Sequence, residues 1–119
     1  MTVRVVMIGE VKEGMREEFF AFVEEFTAVL READGDKTPV YDFYVADDAG
    51  GTNFALHEGY RTPEDLLAHV RNATPYTPRL FKYLRTTEIQ FFGPVPDEII
   101  EGFKGRAKVT TLPTFVGSV

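Results

Sequence analysis

The chain contains no cysteine. That absence removes disulfides, thiolate metal sites and cysteine nucleophiles together. Long apolar runs are also missing. None approaches the ~20 residues that a membrane-crossing helix requires, and residues 1–10 lack the basic region and apolar run of a signal peptide. A cytoplasmic location with no membrane partner is the expectation. Positive charge is in deficit: 13 Lys and Arg stand against 19 Asp and Glu, for a net charge of −6. Nucleic-acid binders need a basic face to neutralise phosphates. The nearest approach to one is Arg79, Lys82 and Arg85, whose spacing of three describes a solvated helix face. Nucleic acid is therefore not an expected partner. Gly50-Gly51 reads as a turn, with no Walker or dinucleotide pattern around it. No Gly-x-Ser-x-Gly elbow occurs. Asp47 and Asp48 lack the further spaced oxygens of a calcium loop and read as turn residues.

What is present fits one domain with its own core. The 119 residues are 44% hydrophobic and 13% aromatic, with 11 phenylalanines, a composition that argues against disorder. Val3–Val11 reads as a strand with Val3, Val5 and Met7 on one face and Val6 and Ile8 on the other. Residues 15–31 form the clearest helix: Phe19, Phe22, Val23, Phe26, Val29 and Leu30 follow the helical repeat. Asp34-Gly35-Asp36 ends it. Residues 40–46 and 53–60 are strands joined by a hairpin loop. Phe54, Leu56, Glu58 and Tyr60 share one face of the third strand, and Ala55, His57 and Gly59 the other. Thr62-Pro63-Glu64-Asp65 is a helix start. That helix runs to about residue 71, and a short one covers about 77–84. Residues 88–92 are the fourth strand.

Strand, helix, strand, strand, helix, strand folds into an α+β, ferredoxin-like βαββαβ unit: a four-stranded antiparallel sheet with helices on one face. The apolar second face of the first strand calls for a cover, and a second copy of the sheet is the simplest one. Residues 1–95 hold this core. Residues 96–119 form a C-terminal extension, with one or two helical turns at 97–103 and an extended stretch at 109–116, expected to pack on the core or on the partner subunit.

Three local segments carry a family resemblance. Val11-Lys12-Glu13-Gly14-Met15-Arg16-Glu17-Glu18-Phe19, Phe54-Ala55-Leu56-His57-Glu58-Gly59-Tyr60 and Asp65-Leu66-Leu67-Ala68-His69 stand in the order and at the spacing of three family segments. These are the strand–turn–helix opening, the third strand and the following helix. Over roughly residues 3–95 the chain resembles antibiotic-biosynthesis-monooxygenase (ABM) domains of the dimeric α/β-barrel group. The resemblance implies a homodimer with facing sheets and a pocket between sheet and helices. It also implies oxidation of a phenolic or quinol-like molecule by dioxygen with no cofactor. Other members degrade haem. Here Tyr60 stands where tryptophan is usual, and Met7-Ile8-Gly9-Glu10 lacks the asparagine of haem-degrading members. Both departures point away from haem.

Such chemistry needs a base, an apolar pocket and donors for the resulting anion. Glu58 is the first candidate for base, or for the group that orients His69. A carboxylate on that apolar strand face would be desolvated. His69 faces the strand from the next helix, and a histidine there can act as base or donor. Tyr60 is a candidate donor to a substrate oxygen. Phe22, Phe26, Tyr76 and Tyr83 are candidate pocket walls, with plain core packing as the competing role for each. His57 should face the dimer partner, and two histidines on opposite faces make a poor metal pair. The leading expectation is a cofactor-independent monooxygenase acting on an aromatic or quinol-like molecule. The alternatives are a small-ligand-binding domain without turnover, and an assembly domain whose interior the phenylalanines fill.

Overall fold

A computed structural model describes residues 2–119. β1 (Val3–Val11) buries Val3, Val5, Met7 and Val11 and leaves Arg4, Ile8 and Glu10 outside. This is the alternation a one-sided strand requires. α1 (Arg16–Asp34) buries Phe19, Phe22, Phe26, Leu30 and Asp34. These five continue one helical stripe to its last residue. A 3-10 turn (Gly35–Lys37) follows, then β2 (Val40–Asp48) and β3 (Gly51–Tyr60). α2 (Pro63–Ala73) opens on Thr62, whose side chain accepts a 3.1 Å hydrogen bond from the Asp65 amide. A second 3-10 turn (Thr74–Tyr76) leads to α3 (Thr77–Tyr83), then β4 (Leu84–Phe92), α4 (Asp97–Phe103) and β5 (Lys108–Leu112).

The sheet order is β2-β3-β1-β4-β5. The pairs β2–β3, β3–β1 and β1–β4 are antiparallel, as expected for the βαββαβ core. The four-stranded expectation is corrected by β5, which pairs with β4 in parallel and makes the sheet five-stranded. Parallel neighbours need a crossover connection, and α4 supplies it. The extension thus packs on its own sheet edge, where the Gly93 amide also donates to the Leu112 carbonyl at 2.9 Å.

Two glycines are forced by close backbone approach. A Cβ on Gly9 would lie 2.1 Å from the Arg85 carbonyl oxygen, at the register shift between β1 and β4. One on Gly93, which has φ +83°, would lie 2.0 Å from the Thr2 carbonyl oxygen.

β4 starts four residues earlier than its sequence suggested. Arg85 therefore belongs to a strand, and the basic helix face expected for Arg79, Lys82 and Arg85 does not form. Arg79 is paired bidentately with Glu25, and Arg85 with Glu10. Asp47 takes Arg16 and the Thr52 hydroxyl in the hairpin, the turn role read for it. The helices cover one sheet face. The other leaves Ile8 37% and Tyr44 58% exposed, with the His57 ring 5.6 Å from the Tyr44 ring. No helix among the described residues is long and apolar enough to cross a membrane.

Candidate functional site

The inner sheet face presents Leu56, Glu58 and Tyr60 in alternation along β3. α2 lies over them and buries Leu66, His69 and Ala73. Glu58 and His69 therefore meet in the interior, with Glu58 Oε1 3.9 Å from His69 Nε2. Tyr60 is fully buried and donates to Glu58 Oε1 at 2.5 Å. The role expected of Tyr60 is thereby corrected: its hydroxyl is committed to Glu58, away from any ligand. Burial, and then the neighbouring Glu58, push that hydroxyl far above the usual tyrosine value, so it acts as a donor and not as an acid.

The orienting group for His69 is Asp34. Its Oδ2 lies 2.7 Å from His69 Nδ1, and it also accepts from Asn72 Nδ2 at 2.8 Å and from the Thr38 hydroxyl at 2.8 Å. Burial pushes the Asp34 carboxyl up, but the hydrogen bonds from Asn72, His69 and Thr38 outweigh it and hold the group below its ordinary value. An ionised carboxylate only accepts. Nδ1 therefore carries the proton, and in the neutral ring Nε2 presents its lone pair towards Glu58 and the cavity. Sequence reasoning gave the orienting role to Glu58 and read Asp34 as a helix stop. The signal that could have found Asp34 is its spacing: it lies four residues beyond Leu30 on the buried stripe of α1.

Glu58 is held differently. Desolvation is the main influence and raises its pKa, against the opposing pull of His69 and the Tyr60 hydrogen bond. The pair is thus split, with Asp34 stabilised as the anion and Glu58 favouring its proton. Such splitting within one cluster is a mark of acid–base sites.

The two residues open onto a cavity of about 310 Å³, a volume within the range of small-molecule sites. Val5, Met7, Phe26, Leu80, Ile89 and Phe91 supply much of its apolar wall. The assembly-domain expectation required phenylalanines to fill this space, and they leave it open. Of the four expected wall residues, Phe26 lines the cavity. Phe22 and Tyr83 are buried beside it in the core, their rings 5.5 Å apart. Tyr76 packs on Phe26 at 5.6 Å, outside the lining. Phe22, Tyr76 and Tyr83 are therefore corrected from pocket wall to packing. Tyr41 was missed: its ring lies 4.7 Å from the His69 ring and lines the cavity. So were Glu98, Ile99, Gly102, Phe103 and Arg106, which bring the C-terminal extension to the cavity. No group of three or more His, Asp or Glu side chains among the described residues is placed to hold a metal ion.

Solved structures share this arrangement of elements. MupZ from Pseudomonas fluorescens superposes with a TM-score of 0.72 at 16% identity, over 98% of this chain and 93% of its own. A structure named antibiotic biosynthesis monooxygenase gives 0.61 at 18% identity, over 79% of this chain and 99% of its own. Rv0793 from Mycobacterium tuberculosis gives 0.60 at 20%, over 79% and 95%. The match to MupZ runs on through the C-terminal extension; the other two stop short of that coverage. No family model and no curated protein sequence matches the chain. At these identities the likeness establishes the fold alone, one shared with structures named antibiotic biosynthesis monooxygenases.

Two outcomes follow from the split pair. Asp34→Asn replaces an obligate acceptor by a group that can also donate, so nitrogen NMR of His69 should show Nδ1–H in the wild type and a shift towards Nε2–H in the variant. Identical tautomers in both would remove Asp34 from its orienting role. Glu58 has a raised pKa in the folded state. Its contribution to stability is complete below its ordinary value of 4.5 and is lost as pH rises through the raised one. Glu58→Gln keeps an acceptor for Tyr60 and does not ionise. Its melting temperature should therefore gain on the wild type as pH rises from 4.5, whereas a gap that is constant with pH contradicts the raised pKa.

Proposed function

We propose that this chain is a cofactor-independent monooxygenase acting on an aromatic or quinol-like small molecule, with dioxygen as the oxidant. The reading is carried by one observation. A Glu58–His69 pair, backed by Asp34 and Tyr60, is set into the wall of an apolar cavity of small-molecule size. The name borne by one of the structures that share the fold supports the same reaction type.

His69 Nε2 takes a proton from a phenolic or quinol-like ring. The apolar walls leave the resulting anion poorly solvated and electron-rich. That anion reduces dioxygen at a ring carbon that carries two hydrogens in the keto tautomer. One oxygen atom bonds to this carbon as a carbonyl. The other leaves as water with the two hydrogens, so one dioxygen is consumed per product. Glu58 is next to His69 and passes or receives the second proton, while Tyr60 fixes its carboxyl. The enzyme works as a homodimer, a state supported by the exposed Ile8 and Tyr44 on the sheet face that no helix covers.

An oxygen electrode with a panel of quinols tests the reaction, and light scattering tests the assembly. The expected result is a dimer that consumes oxygen and inserts one atom of labelled dioxygen into the product. His69→Ala should lower the rate by about 10²–10⁴-fold, and Glu58→Gln should also cripple turnover, both as folded dimers. Unchanged rates in both variants would take these residues out of the mechanism. A monomeric wild type would sink the assembly.

A further inference from the structure

The cavity is built from two sources. The sheet, α1, α2 and α3 make its depth, where Glu58 and His69 are buried. The C-terminal extension makes its rim, where Glu98, Gly102 and Arg106 line it and are exposed. Arg106 is the one Lys or Arg among the described lining residues.

The placement of Arg106 is fixed by the backbone. Gly105 has φ +85°, and the Arg106 amide donates to the Phe103 carbonyl at 3.1 Å, so the turn after α4 holds the arginine at the rim. Its guanidinium takes part in no ion pair among the described residues, as is also true of Arg4, Arg31 and Arg71, and of these four Arg106 is the one that lines the cavity. Glu98 is the opposing charge on the rim, and it has a structural reason to be there. With Asp97 it occupies the first turn of α4, where free amides favour acids. Arg106 has no such reason. An added Cβ on Gly102 meets nothing within 4 Å, so the rim beside the arginine is open.

Depth and rim therefore differ in what they ask of a ligand. The depth offers a proton acceptor at His69 Nε2. The rim offers a fork of N–H donors suited to a carboxylate. We infer that the natural ligand is an aromatic acid: an apolar ring body with a phenolic group at its inner end and a carboxylate, or an anion of similar shape, held by Arg106 at the rim. Arg106 is thus a specificity residue contributed by the extension. The inference rests on the pocket assigned above and names the substrate class for it.

Binding under argon separates this from turnover. Three probes share one two-ring body with a phenol at one end. The other end carries a carboxylic acid, its primary amide or an aminomethyl group. Fluorescence titration of the wild type should show the acid binding about five- to tenfold tighter than the amide. Arg106→Ala and Arg106→Gln should bind acid and amide alike, with the amide unaffected. Gly102→Leu should weaken all three probes and leave the acid-to-amide ratio unchanged. Equal affinity of acid and amide in the wild type overturns the inference. So does an acid preference that survives in both Arg106 variants, or a preference for the amine that Glu98→Gln abolishes. An acid preference without oxygen uptake would discard the monooxygenase reading and keep this one. Failure of all three probes to bind would discard both.

Discussion

The Asp34 carboxylate is the constraint on which the rest of the site depends. Taking an anion out of water costs several kcal/mol, and only well-placed donors offset it. Asp34 has three, and they come from different parts of the chain: His69 and Asn72 from α2, and Thr38 from the segment before β2. One carboxylate therefore ties the end of α1 to α2 and to the approach of the second strand. Removing a partner from such a network costs about as much as deleting a core leucine side chain. The orientation of His69 is thus maintained by the stability of the helix layer itself.

The shape of the cavity follows from how the aromatic residues divide the interior. Phe19, Phe22, Phe26 and Tyr83 pack ring on ring beneath α1, with Phe22 and Phe26 stacked at 5.1 Å. Tyr60 fills the space below Glu58 and His69, its ring 5.4 Å from the imidazole. What stays open lies between these clusters and α4, whose Phe103 ring sits 5.9 Å from Phe91. α4 is a short helix with a glycine at the cavity, so it roofs the space without filling it. The extension that turns the sheet from four strands into five is the same segment that gives the cavity its rim.

The alternation Phe54, Leu56, Glu58, Tyr60 was legible because a strand can face a helix layer in only one register. An acid in that alternation had to be buried. His69 was legible as the helix residue facing it, and Thr62 as a cap. Asp34 was hidden by its neighbours: beside Gly35 and Asp36 it satisfied the chemistry of a helix stop, and it is one, while its side chain also completes the buried stripe. Tyr41 looked like any aromatic on a β2 face, because nothing in a strand pattern says which ring will lie over a histidine from another element. Residues 109–116 were legible as extended, but the pairing of β5 with β4 was not, because Lys108–Leu112 carries no strong alternation. Its partner is fixed by a crossover whose end point depends on tertiary packing.

The charges of the site couple its titratable neighbours. Asp34 is held below its ordinary value by its three hydrogen-bond donors, whereas desolvation raises Glu58, so the two carboxyls differ in their preference for a proton. The vacant acceptor is His69 Nε2, aimed at the cavity because Asp34 holds the other nitrogen. Once His69 takes a proton it carries a positive charge between the two carboxyls. That charge opposes the desolvation of Glu58 and lowers its pKa. The two groups are therefore coupled by electrostatics: a proton on the imidazole makes the neighbouring carboxyl easier to ionise.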